Sequence, residues 1–129
     1  SNRSSRIDLL LTPAKTNPDS RSIYVEVKNT TWTKGSLALF PDTITTRGQK
    51  HLKELMKLTP RERAVLIPCI SRDDAEIFAP GDSADEEYGN LFRKALGKGV
   101  EVLPCCFSFY RDCITWKGKR TFQEREQFS

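Results

Sequence analysis

Ile23-Tyr24-Val25-Glu26-Val27-Lys28-Asn29 alternates, with Ile23, Val25 and Val27 on one side and Tyr24, Glu26 and Lys28 on the other. Period-two alternation is the signature of a half-buried β-strand. Upstream, Ser5-Arg6-Ile7-Asp8-Leu9-Leu10-Leu11 reads as a second strand, and its leucine triplet implies burial on both faces, as in a central strand. Thr12 to Ser22 between them is polar, holds two prolines and Asn17-Pro18-Asp19, and reads as a loop. Folding the pair antiparallel about residue 17 sets Asp8 opposite Glu26, with Lys28 projecting beside them. Two facing carboxylates with a lysine two residues on suit a divalent cation and the water it activates.

The chain has 129 residues, of which 37% are hydrophobic and 29% charged. That balance argues against disorder and for one globular domain over residues 1–129. The formal net charge of +4 permits a polyanionic partner without demanding one. Basic residues concentrate at Lys50 to Arg63 and at Lys117-Gly118-Lys119-Arg120. No apolar run approaches the roughly 20 residues that cross a bilayer, so no membrane role is expected. The N-terminal residues lack the apolar core of a signal peptide, which implies a cytoplasmic location, or an organellar one if a targeting segment has been removed. Four cysteines without a C-x-x-C spacing, and far in sequence from the single histidine His51, argue against zinc and for free thiols in a reducing compartment.

Further along, Gly35 to Phe40 reads as a short strand stopped by Pro41. A helix is expected from Thr45 or Thr46 to Leu58; either threonine can cap it, and Thr46 with Gln49 matches a capping box. Leu52, Leu55 and Met56 form its buried stripe. Arg63 to Ile70 is a continuous apolar run and a buried strand, in which Pro68 points to a sheet edge or a strand end. Ser71 to Asp85 is turn-rich. A second helix, Ala84 to Leu96, carries Tyr88, Leu91, Phe92, Ala95 and Leu96 on one face and stops at Gly97-Lys98-Gly99. Val100 to Cys106 reads as a strand, Phe107 to Trp116 as an extended segment or hairpin, and Lys117 to Ser129 as a frayed tail. The acidic cluster Asp82, Asp85, Glu86 and Glu87 is explained by a helix start. The order predicts an α/β (mixed α+β) fold with a central mixed β-sheet flanked by helices.

Chemistry concentrates at Asp8 and at Glu26-x-Lys28. Mg²⁺ keeps several waters, so two carboxylates and one backbone carbonyl suffice, and the carbonyl of Val27 is the natural third ligand. Lys28 would orient the attacking water and offset charge in the transition state. Arg47, Gln49, Lys50 and His51 cluster at a helix start, where backbone N–H groups and the dipole favour phosphate. Uncharged Gln49 in that basic stretch suits contact with substrate or a metal-bound water.

Together these residues resemble the sugar fermentation stimulation protein family, SfsA. The resemblance lies in Ser5 to Leu11, Tyr24-Val25-Glu26-Val27-Lys28-Asn29, Phe40-Pro41-Asp42 and Thr46-Arg47-Gly48-Gln49-Lys50-His51-Leu52-Lys53-Glu54-Leu55. Weaker matches run on to about residue 105. The resemblance implies a PD-(D/E)XK, restriction-endonuclease-like core, a superfamily whose members are typically Mg²⁺-dependent nucleases. It places Asp8 at the first acid, Glu26 and Lys28 at the E-x-K motif, and Gln49 at a helix glutamine near the site. It also implies an N-terminal oligonucleotide-binding-like half that the present residues do not include, and a leading helix that does not precede Ser5.

The leading expectation is a nuclease domain that hydrolyses phosphodiester bonds in DNA, with RNA as an alternative substrate. Asp8, Glu26 and the Val27 carbonyl would hold Mg²⁺ or Mn²⁺, Lys28 and Gln49 would serve the reaction, and Arg6, Arg47, Lys50, His51 and Lys53 would bind nucleic acid. Two rivals stand beside it. One is a non-catalytic DNA-binding regulator linked to sugar utilisation. The other is an interaction domain in which Glu26 and Lys28 merely pair on a surface.

Overall fold

The computed structural model describes residues 8–126. A six-stranded mixed sheet runs β1(Leu9–Leu11)-β2(Ile23–Thr30)-β5(Arg63–Ile70)-β8(Cys105–Tyr110)-β9(Cys113–Lys119), with the short β7(Glu101–Val102) also paired to β5. A second, four-stranded sheet runs β10(Thr121–Phe122)-β6(Ile77–Pro80)-β4(Leu37–Phe40)-β3(Trp32–Lys34). Two helices, α1(Thr46–Leu58) and α2(Glu86–Lys98), complete the described elements. This is the expected mixed α/β class. The connection from β2 to its parallel neighbour β5 carries β3, β4 and α1; the connection from β5 to β7 carries β6 and α2.

The register of the first hairpin is Leu9 opposite Val25, Leu10 opposite Tyr24 and Leu11 opposite Ile23, which extends to Asp8 opposite Glu26. Asp8 Oδ2 accepts a hydrogen bond from the Val27 N–H at 2.8 Å and holds that end of the hairpin. The leucine triplet is not central, however. β1 pairs with β2 alone among the described strands, and Leu9, Leu10 and Leu11 are 50%, 58% and 47% exposed. Three successive leucines show that a strand is apolar, but its burial depends on what else packs against the sheet.

β5 is the central strand. Its residues Ala64, Leu66 and Ile70 join Leu52 and Leu55 of α1, and Tyr88, Leu91, Phe92 and Ala95 of α2, in one core. Pro68 thus lies within a central strand, contrary to the expectation of an edge or an end. The Leu66 carbonyl accepts from Leu103 N at 2.9 Å, so residues 66 and 68 direct their backbone groups to the β7–β8 side. There the ladder is broken: β7 pairs at Val65 and Leu66, β8 resumes at Cys69 and Ile70, and Leu103-Pro104 spans the gap. The missing N–H of Pro68 falls opposite this interruption, where no ladder bond is lost.

Both helices end as their sequences dictate. Thr45 caps α1, its hydroxyl accepting from Gly48 N at 2.9 Å. Asp85 caps α2, accepting from Tyr88 N at 3.0 Å, and Gly99 closes it in the left-handed conformation at φ 100°. Two segments expected to be irregular are structured. Ile77–Pro80 forms the centre of the second sheet, and the tail adds β10 alongside it. Arg120 Nε donates to the Ala75 carbonyl at 2.9 Å, and Glu126 accepts from Ser83 N at 2.9 Å and Lys34 Nζ at 2.6 Å. The four cysteines are free thiols; Cys105 and Cys106 are buried, Cys69 half-buried and Cys113 exposed.

Candidate functional site

Glu26 and Lys28, two residues apart on β2, project from the same face of the strand towards α1. Glu26 is 2% exposed. Its Oε2 lies 3.2 Å from Lys28 Nζ and 3.0 Å from His51 Nδ1, while Lys28 Nζ and His51 Nδ1 are 2.7 Å apart. The Phe40 ring stands 5.9 Å from the Lys28 ammonium. The other carboxylate oxygen, Glu26 Oε1, is buried and has no hydrogen-bonding partner. Burial pushes the Glu26 carboxyl above its ordinary value; Lys28 pulls it back, and the neighbouring Asp8 carboxyl pushes it up again. The two acids therefore converge on one place, as the hairpin register requires.

The donor set there is oxygen: the Asp8 and Glu26 carboxylates and the Val27 carbonyl, which leaves β2 on the same edge as the N–H bonded to Asp8. An unpartnered buried carboxylate oxygen beside a second carboxylate fits a hard divalent cation that completes its shell with water. Among the described residues no group of three or more His, Cys, Asp or Glu side chains could hold a metal ion. The set thus relies on carbonyl and solvent oxygens beyond the two acids.

His51 departs from its expected place at a phosphate-binding surface. It is 2% exposed, and faces Glu26 and Lys28 rather than solvent. Burial lowers its pKa first, with the positive charges of Lys28 and then Arg47 acting in the same direction, so the ring is held neutral; Asp8 and Glu54 oppose weakly. The signal was present in the helical spacing. Gly48, His51, Leu52 and Leu55 are the buried residues of α1 and follow the i, i+3, i+4, i+7 pattern of a core-facing stripe. Flanking lysines made the position look like surface.

Gln49 makes a contact that its sequence position does not announce. Its side-chain amide donates to both oxygens of Asp85, at 3.1 and 3.0 Å, and forms no capping box with Thr46. The same Asp85 carboxylate accepts from Thr45 N at 2.9 Å. One buried acid thus joins the starts of α1 and α2, a function that its reading as a simple helix cap misses. Tyr88 lies close by, fully buried, its ring edge-on to Phe40 at 5.4 Å and its hydroxyl without a partner. Burial drives the Tyr88 phenol well above its ordinary pKa, and the charges of Glu26 and Asp85 push it further.

Arg47, Lys50 and Lys53 lie exposed on α1. Arg6, expected with them, falls outside the described residues. No helix among the described residues is long and apolar enough to cross a membrane.

Comparison with known proteins identifies the family. Residues 1–113 match the family described as "Sugar fermentation stimulation protein RE domain". A sugar fermentation stimulation protein homolog of Prochlorococcus marinus (strain NATL2A) is 69% identical over 129 residues, covering 98% of this chain and 50% of that protein. A homolog from Synechococcus sp. (strain WH7803) is 67% identical over 125 residues, covering 97% and 49%. This chain therefore spans about half the length of the curated relatives that it matches. Among solved structures, that of Pyrococcus furiosus SfsA in complex with Ca²⁺ superposes with a TM-score of 0.83 at 27% identity, covering 95% of this chain and 54% of that one. On the family match over residues 1–113 and these relatives, the chain belongs to the sugar fermentation stimulation protein family.

Proposed function

We propose that this chain is the catalytic part of a divalent-cation-dependent nuclease that hydrolyses phosphodiester bonds in DNA, with RNA as an alternative substrate. The observation that carries the reading is the pairing of Asp8 with Glu26, a buried acid with one unpartnered oxygen and the Lys28 ammonium 3.2 Å from the other. Asp8, Glu26 and the Val27 carbonyl would hold Mg²⁺ or Mn²⁺. The relative from Pyrococcus furiosus was solved with Ca²⁺, a cation of the same hard, oxygen-seeking class. When bound, such an ion acidifies a water and offsets negative charge on phosphate.

The chain's own residues supply the rest. Lys28 keeps its ammonium beside the acids, where it can orient a water or donate to a phosphate oxygen as charge develops. Glu26 holds Lys28 in that place through the contact at 3.2 Å. Gln49, engaged by Asp85, secures the start of α1 and assists the site from there. The exposed Arg47, Lys50 and Lys53 form the face that meets the phosphate backbone.

The test is cleavage of single- and double-stranded DNA and RNA by the purified chain with Mg²⁺, with Mn²⁺ and with EDTA. Cation-dependent cutting abolished by EDTA is expected. Salt-sensitive binding that is unaffected by EDTA, with no cutting under any condition, would instead identify a binding protein. A second measurement concerns the basic face. Arg47→Ala with Lys53→Ala removes two cations, so the slope of log affinity for duplex DNA against log salt should fall by about 1.8 if both meet phosphates. An unchanged slope would move the nucleic-acid contact elsewhere.

A further inference from the structure

Lys28 has three ammonium donors and no acceptor. One hydrogen-bond-length contact runs to His51 Nδ1 at 2.7 Å and another to Glu26 Oε2 at 3.2 Å. A protonated Nδ1 could turn to Glu26 Oε2 at 3.0 Å but would set two donors against each other at 2.7 Å, so the contact with the ammonium favours Nδ1 as acceptor. His51 Nδ1 and Glu26 Oε2, 3.0 Å apart, are then two acceptors sharing one ammonium. The imidazole proton then sits on Nε2, which is buried and has no hydrogen-bonding partner. A buried donor left unpaired is destabilising, so a residue serving packing alone would be better apolar. The histidine makes physical sense for what its other nitrogen does.

We propose that His51 is a positioning residue for Lys28: neutral and protonated on Nε2, it accepts a hydrogen bond from the ammonium through Nδ1 and, with Glu26, fixes two of its three N–H donors. The third N–H stays available for the water or phosphate oxygen that enters the site. Without His51 the flexible lysine stem pivots about Glu26 alone, and the direction of the third donor is lost. The catalytic meaning of this arrangement rests on the nuclease reading, whereas the tautomer and the contact are properties of the folded chain.

The experiment has two arms, which separate the two ideas. The chain holds a single histidine, so ¹⁵N NMR of the imidazole in the uniformly labelled protein needs no assignment. Recorded at pH 7 with EDTA and again with Ca²⁺, it should show a neutral ring carrying its proton on Nε2. A proton on Nδ1, or an imidazolium, overturns the proposal whether or not the protein cuts DNA. The second arm compares His51→Asn, whose amide oxygen falls near the place of Nδ1, with His51→Gln, whose amide falls near Nε2. Both are checked for folding by thermal denaturation. His51→Asn should keep most of the cleavage rate, and His51→Gln should lose about 10–100-fold in kcat, the usual effect of removing a group that orients a site residue. KM for DNA should stay constant in both. Equal kcat in two folded variants overturns the positioning role. If wild type does not cleave, the nuclease reading falls, and the NMR arm still decides how His51 and Lys28 are joined.

Discussion

Glu26→Gln should abolish divalent-cation binding and lower phosphodiester cleavage by about 10³-fold, the scale associated with removing one preorganised electrostatic group from an active site. The substitution keeps the shape of the side chain and exchanges a charged oxygen pair for a neutral amide. At the unpartnered Oε1 a cation would lose one of its two carboxylate ligands. At Oε2 the Lys28 ammonium would lose its counter-charge at 3.2 Å. Lys28→Ala should reduce cleavage to a similar extent yet leave Ca²⁺ binding measurable by calorimetry, because it removes a donor and leaves the ligands. Asp8→Asn should behave like Glu26→Gln. The contrast separates holding the ion from orienting the nucleophile. Cleavage that persists unchanged in Glu26→Gln and in Lys28→Ala would sink the assignment.

Asp85→Ala should be strongly destabilising. The carboxylate is 4% exposed and accepts from Tyr88 N, Thr45 N and the Gln49 amide. Loss of a helix cap costs about 1 kcal/mol, and each buried donor left without a partner about 1–3 kcal/mol. A total near 3 kcal/mol corresponds to a fall in Tm of about 10 °C for a domain of this size. The pH dependence has a definite sign. Burial by itself raises the Asp85 carboxyl, but the hydrogen bonds from Thr45, Gln49, Tyr88 and Glu87 outweigh it and hold the folded-state pKa below the ordinary value. The stabilisation is then fully present above the unfolded pKa of about 3.9 and disappears as pH falls through the lower folded value. Wild type and Asp85→Ala should therefore differ most near neutrality and converge in strong acid. Denaturant titrations across that range provide the check; a gap that widens on acidification would contradict the bonding described.

Much of this site was legible because the determining patterns are local. Alternation in Ile23 to Asn29 and a polar loop centred near residue 17 are sufficient to bring Asp8 to Glu26, and the register agrees. The helical spacing of Leu52 and Leu55, and of Tyr88, Leu91, Phe92 and Ala95, likewise locates the core. What escaped is non-local. The exposure of Leu9 to Leu11, the central place of Pro68 and the ordering of Ile77–Pro80 and Thr121–Phe122 all depend on which strands lie alongside. Gln49 pairs with Asp85 across 36 positions of sequence, a contact that no window around either residue contains. His51 was misplaced for another reason: its basic neighbours outweighed a helical phase that already put it beside Leu52.

The first hairpin carries one more consequence. Side chains alternate along a strand with period two, so sliding β1 by two residues against β2 would leave every leucine on its present face. Such a shift would put Arg6 or Leu10 opposite Glu26 in place of Asp8, and the sheet would remain paired. Packing alone does not choose among these alignments, because among the described strands β1 pairs with β2 alone and its leucines are exposed. The bond from Val27 N to Asp8 Oδ2 does choose, since in a shifted alignment neither Leu10 nor Arg6 offers the N–H a carboxylate. The acid expected to hold the ion thus also acts as the latch of its own hairpin, and a protein can lose activity by misthreading there while by every global measure it stays folded.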